Sequence, residues 1–234
     1  MTIKDMPYKG IAFSLVSSAE NSSLDYAAQY SYIEDIGDGR GYTAGIIGFT
    51  SGTSDMIVVV ERYSELKPGN ILEKYLPALR KVDGTDSHEG LGDEFVRDWI
   101  TASNDEEMIR AQNEILDEMY LTPAVDAALA DGLSLLGQFI YYDAIVVHGG
   151  GDTEDCFDGI RAAALKAAKA PSNGGNEGEY LLEFIKARTI VMLKEEAHSD
   201  LSRLEAQKKF IAECKFCLEL PLEWTMYGDF FKMK

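Results

Sequence analysis

Cysteine is scarce in this 234-residue chain. Cys156, Cys214 and Cys217 make three, an odd number that excludes a complete disulfide framework. Cys214-Lys-Phe-Cys217 has the spacing of a zinc or redox pair, but a four-ligand zinc site needs two further ligands. No second CxxC and no HxxxH pair occurs among His88, His148 and His198. Packing on a helix face is therefore the expectation for the pair, and neither metal nor cofactor is expected. Positive charge is also in deficit: 22 Lys and Arg stand against 40 Asp and Glu, a formal net charge of −18. That balance opposes nucleic acid or an anionic membrane as partner, and favours a cationic ligand or a well-solvated surface. A secretory leader is not evident. Lys4, Asp5 and Lys9 precede only a short apolar stretch, Ile11 to Val16, that contains Ser14. An intracellular protein and a mature form beginning at an added Met1 both fit. There is no internal repeat and no low-complexity tract.

What is present suits a globular fold, as one large domain or two lobes. Hydrophobic residues make up 46% and charged residues 26%. Most of the chain reads as helix. Ile11, Ala12, Leu15, Val16 and Ala19 form the stripe of a helix ending near Glu20, and Ser23 can cap a turn through Tyr26 to Tyr32. From Glu34 to Gly52, glycines interrupt Tyr42, Thr43, Ile46, Ile47 and Phe49, which predicts a hairpin or small sheet near 36–52. Asn70 caps a run through Leu79, Gly84 to Gly92 is a loop, and Phe95 and Trp99 pair on the next helix. Asn104 caps a following helix, and Thr122-Pro123 starts one that runs to about His148. That last helix is the most apolar in the chain. Asp131, Gln138, Asp143 and His148 within it argue for a buried central helix over a membrane span. Two further helices are expected around Cys156 to Ala170 and Glu177 to His198.

The stretch Gly37-Asp38-Gly39-Arg40-Gly41 is no nucleotide loop, since it has neither the βαβ setting nor a Gly-Lys-Ser/Thr. A glycine-rich turn accounts for the glycines but not for the charged pair Asp38 and Arg40 between them. Glu20 ends an apolar-striped helix, where shielding from water would favour its protonated form; Asp38 on an open turn would stay ionised. One protonated carboxyl and one carboxylate are what glycoside hydrolysis requires, and Thr43 offers a hydroxyl that could hold the water. On the residues alone this pair is one of many that 40 acids allow.

A longer pattern singles it out. Ser17-Ser18-Ala19-Glu20-Asn21-Ser22-Ser23 and Tyr32-Ile33-Glu34-Asp35-Ile36-Gly37-Asp38-Gly39-Arg40-Gly41-Tyr42-Thr43 closely resemble the glycoside hydrolase family 46 chitosanases. The likeness continues in Gly45-Ile46-Ile47-Gly48-Phe49, Pro68-Gly69-Asn70-Ile71-Leu72, Gln138-Phe139, Tyr141-Tyr142-Asp143-Ala144-Ile145-Val146 and Tyr227-Gly228-Asp229. The resemblance implies a mainly α, lysozyme-like fold of two lobes with a small sheet in one and a substrate cleft between them. The larger lobe would take about 1–30 and 110–234, the smaller about 31–109. It implies endo-hydrolysis of β-1,4 links between glucosamine units of chitosan, with inversion, by a secreted monomer without cofactor.

By the same resemblance Glu20 is the general acid, Asp38 the general base, and Thr43 helps to hold the attacking water. Arg40 lies in the cleft beside the base, Asp55 grips a substrate amine, and Ser22, Tyr32, His148 and Glu195 contact substrate. Asp143, on the most apolar helix, needs a cationic partner whatever the family. The resemblance supplies Arg188 and Arg203, in a buried network reaching Glu20. Ser199 stands where related enzymes can carry an acid, and Thr50 where a cysteine can appear. The acidic composition suits a polyamine substrate. Alternatives are a lysozyme-like hydrolase of peptidoglycan or chitin, and a non-catalytic binder of cationic polysaccharide.

Overall fold

The computed structural model describes residues 1–151, 153–194 and 200–234. The first helices are α1 (Tyr8–Glu20), α2 (Asp55–Leu66), α3 (Leu76–Val82), α4 (Asp93–Ala102) and α5 (Glu106–Leu116). They are followed by α6 (Thr122–Ala130), α7 (Leu135–His148), α8 (Phe157–Ala167), α9 (Glu177–Met192) and α10 (Ser202–Ala212). The strands are β1 (Ile33–Asp35), β2 (Tyr42–Ala44), β3 (Phe49–Thr50), β4 (Leu222–Met226) and β5 (Asp229–Met233). Residues Met1–Leu24 with Met119–Lys234 form one compact unit, and Asp25–Glu118 form another.

In the first unit α7 is the central element. Every residue from Leu135 to Ile145 is buried, as its apolar composition requires. Around it pack α1, α6, α8, α9 and α10. Phe13 meets Tyr142 with ring centroids 6.0 Å apart, and Gln138 Oε1 accepts from the backbone N–H of Ile3 at 3.0 Å. The continuous helix expected from Thr122 to about His148 is in fact two. Gly132 takes φ +76°; its N–H donates to Leu129 O and that of Leu133 to Ala128 O. This pair of bonds is a Schellman ending, which needs a left-handed residue and finds glycine there. Glu177 Oε1 then accepts from both the N–H and the hydroxyl of Ser134, each at 2.7 Å, fixing the start of α7. Asp131, in the turn, is buried and takes a two-pronged bond from Arg161 at 2.7 Å per prong.

The C-terminal hairpin β4–β5, which the sequence reading did not anticipate, packs on α10. Trp224 stands edge-on to Phe210 and donates its ring N–H to Ser18 of α1 at 3.1 Å. Cys214 and Cys217 lie past the end of α10 and are exposed, so the helix-face packing expected of them does not occur.

In the second unit the expected β region is a three-stranded antiparallel sheet, β1-β2-β3, with Thr43 opposite Thr50. Gln112 of α5 secures it: Oε1 accepts from Ile46 N at 3.1 Å and Nε2 donates to Tyr30 O at 3.1 Å. A side chain at Gly45 would strike that Oε1 at 2.4 Å. Phe95 and Trp99 pair edge-on as expected. Three caps move to neighbours. Asp25, not Ser23, accepts from Ala28 N, and Asp105, not Asn104, accepts from Glu107 N. Thr122 is already helical, continuing from a wide turn at Asp117–Leu121. Aspartate, whose charge suits the positive end of a helix, accepts free N–H groups there as well as serine or asparagine. Among the described residues no helix is long and apolar enough to cross a membrane.

Candidate active site

Asp38 sits where the chain turns between β1 and β2. Gly37, Gly39 and Gly41 have φ of +72°, +83° and +73°, a run that L side chains could not follow without strain. Asp35 begins the turn by accepting from Gly37 N at 2.8 Å. Its end is pinned by Gly52 N donating to Arg40 O and by Tyr42 N donating to Ser51 Oγ. A side chain at Gly52 would meet Thr85 O at 2.3 Å, so the close approach depends on glycine. The sequence reading missed these turn contacts: Asp35 and Ser51 accept backbone N–H groups through their side chains, and Gly52 approaches through its own backbone.

Within the turn Asp38 and Arg40 bind each other. Asp38 Oδ1 accepts from Arg40 N at 3.0 Å and Oδ2 from Arg40 Nε at 2.8 Å. Partial removal from water pushes the Asp38 carboxyl up. The side-chain and backbone bonds from Arg40, with its charge, outweigh this and hold it below the usual carboxylate range. It is thus a carboxylate near neutrality, with further lone pairs to accept a proton. Thr43, on β2, is buried, and its Oγ1 has no hydrogen-bond partner among the described residues. Opposite it, Thr50 donates its N–H to Asp55 Oδ1 at 2.7 Å. Asp55 is buried at the first turn of α2, where the same oxygen also accepts from Met56 N and Thr53 Oγ1. Tyr32 donates to Glu34 Oε2 at 3.3 Å.

The first unit holds the other half of the expected set. Asp143 is 1% exposed, and its carboxylate receives three donors. Arg188 Nη1 donates to Oδ2 at 2.6 Å, Gln207 Nε2 to Oδ2 at 2.7 Å and Arg203 Nε to Oδ1 at 2.8 Å. Burial pushes the Asp143 carboxyl up, but Arg203 and Arg188 outweigh it and bring it to about 2. Burial pushes Arg188 down, whereas for Arg203 the two acids Asp143 and Glu20 overcome burial and push it up. Guanidinium stays charged through either shift. Arg203 then reaches outward, Nη2 donating to Glu20 Oε1 at 2.5 Å. His148 Nε2 accepts from Arg188 Nε at 3.1 Å.

Glu20 departs from one expectation. Its side chain is 38% exposed, because it is the last residue of α1 with Asn21 as C-cap. Arg203 holds one of its oxygens, Oε1, and among the described residues no donor reaches Oε2. Ser22 follows at φ +50° and is exposed. The structure therefore gathers Glu20, Asp143, Arg188, Arg203 and His148 in one unit, and Asp38, Arg40, Thr43 and Asp55 around the sheet of the other. Glu195 and Ser199 lie outside the described residues. Gln207 was overlooked, although its place four residues after Arg203 put both on one helical face. Among the described residues no group of three or more His, Cys, Asp or Glu could hold a metal ion.

Comparison with known proteins gives the chain's relatives. The chain is 58% identical over 228 residues to a chitosanase of Nocardioides sp. (strain N106), spanning 97% of this chain and 82% of that protein. It is 55% identical to a chitosanase of Streptomyces sp. (strain N174) over the same shares. The solved structure of chitosanase OU01 with substrate superposes with a TM-score of 0.97 at 52% identity, covering 100% of this chain and 99% of that one. The model of glycosyl hydrolase family 46 matches residues 14–222, and the chain belongs to that family.

Proposed function

We propose that the chain is an endo-acting chitosanase that cuts β-1,4 links between glucosamine units with inversion at the anomeric carbon. The observation that carries this reading is identity above one half with curated chitosanases across 97% of the chain. Glu20 gives a proton from Oε2 to the glycosidic oxygen while Arg203 holds Oε1 and so aims the group. Asp38, kept ionised by Arg40, takes a proton from water. The unpartnered hydroxyl of Thr43 supplies that water with a hydrogen bond. An inverting reaction needs the two carboxyls about 6.5–9.5 Å apart, with the water between base and sugar. Ser22, Tyr32, Arg40, Asp55, His148 and Glu195 are the proposed substrate contacts. In this role the acids among them meet the ammonium groups that distinguish chitosan from chitin. We place the enzyme outside the cell, where a polymer of this size is encountered, and as a monomer.

Digestion of chitosan of known acetylation, followed by mass analysis and anomeric NMR, tests the reading. Shortened oligomers that first appear as the α-anomer are expected; β-anomer product would contradict inversion, and binding without shortening would contradict catalysis. Faster cutting of chitin or cell walls would move the substrate to the rival class. Glu20→Gln and Asp38→Asn should each lower kcat by roughly 10²–10⁴ with an unchanged circular dichroism spectrum.

A further inference from the structure

Gln207 Nε2 donates to Asp143 Oδ2 at 2.7 Å, and the residue is 1% exposed. The other half of its amide, Oε1, is buried and has no hydrogen-bond partner among the described residues. Folded proteins rarely keep a buried acceptor in that state, because water would satisfy it in the unfolded chain. Turning the amide over gives no relief, since the oxygen would then face the Asp143 carboxylate. Leucine or methionine would avoid the difficulty, for Leu15, Phe139, Phe210 and Trp224 line the same small cavity. Glutamine at this place serves its N–H, and the N–H serves Asp143.

We propose that Gln207 is a positioning residue for the acid: by holding Asp143 Oδ2 with Arg188, it leaves Oδ1 to Arg203 and so keeps Arg203 on Glu20. The inference rests on the reading of Glu20 as general acid. Three donors from α9 and α10 fix the position and the plane of one carboxylate on α7. Without the neutral donor its charge is shared by the two guanidiniums alone. Arg203 is drawn further onto Asp143, and its second bond, to Glu20, loosens. The described charged and titratable groups that act on Glu20 are Arg203, Arg188 and Tyr227 of the β4–β5 turn, and Arg203 is the one bonded to it. A looser Arg203 aims the acid less well.

Gln207→Leu and Gln207→Glu test the role on a glucosamine hexamer, with kcat and KM taken from about pH 4 to about pH 8 and thermal unfolding on the same samples. Gln207→Leu is expected to lose about tenfold in kcat and to keep KM within about twofold. Gln207→Glu keeps the shape. Protonated at low pH it donates to Asp143 and retains wild-type kcat; ionised at higher pH it repels Asp143 and fails where the wild type still works. Packing alone would not produce that rescue. If the leucine variant does not fold, the glutamate variant at low pH still decides. Wild-type kcat in the leucine variant, or a glutamate variant equally impaired at every pH, would overturn the proposal. Glu20→Gln is run beside them. Full activity there removes the acid assignment itself, whereas an inactive Glu20→Gln with normal Gln207 variants removes only the positioning role.

Discussion

At the scale of single residues, Asp38 and Arg40 offer the clearest chemistry. Two opposing influences act on one carboxyl, and the hydrogen bonds and charge of Arg40 win over partial desolvation. A general base must be ionised, so its protonation sets the acidic limb of kcat/KM. Arg40→Ala removes the guanidinium's hydrogen bond and charge and leaves only the backbone N–H bonds against desolvation, so the Asp38 carboxyl rises. The acidic limb should therefore move to higher pH. Arg40→Lys keeps a charge but loses the fork that reaches Oδ2 through Nε and Nη2, so its limb should fall between the two. Measuring all three on the same oligomer cancels the titration of the substrate's own amines. A limb that stays in place in Arg40→Ala would mean that another group, not Asp38, is titrating. Residue by residue, the legible part of the site was the part carried by local spacing. Asp38, Arg40 and Thr43 share one short segment and read together. Glu20 and Arg203 are 183 positions apart, and no periodicity joins them; resemblance to a family did.

At the scale of elements, the stripe of α1 and the glycine-interrupted strands were readable because each has its own period. Two features were not. The β4–β5 hairpin begins after Pro221 and turns at Tyr227-Gly228; Leu222 to Met226 alternates apolar and polar, but over only five residues, and Asp229 to Met233 does not alternate. Its stability comes from Trp224 on Phe210 and Ser18, partners far away in sequence. The break between α6 and α7 did carry a local signal, the Asp131-Gly132 pair, which the apolar run on both sides concealed. Its importance can be measured. Alanine at Gly132 would hold an L residue at φ +76° and place its Cβ 2.9 Å from the backbone N of Ser172. Gly132→Ala should cost about 1–3 kcal/mol of stability in urea unfolding, with Asp131 still able to bind Arg161. A neutral or stabilising substitution would mean that the two helices can merge, and that the Schellman ending does not set the direction in which α7 enters the core.

For the whole molecule, charge is the property that no single site explains. A net −18 over 234 residues costs self-repulsion, and folding gains nothing from it directly. A polycationic substrate gives it a use, since a long chitosan chain meets the summed field before it meets any one carboxylate. Such steering acts through water and is screened within about 10 Å at 0.1 M salt, whereas hydrogen-bonded pairs such as Arg203 with Glu20 are screened far less. Salt should therefore separate capture from chemistry. Raising ionic strength from about 0.01 M to about 0.5 M is expected to raise KM on long chitosan by about tenfold or more while kcat stays within about twofold. The same change should affect a glucosamine tetramer less, because fewer charges are attracted at once, and that comparison controls for compaction of the polymer. If KM proved indifferent to salt at every chain length, the excess acid would serve solvation alone, and selection of the amine would rest wholly on local contacts such as Asp55.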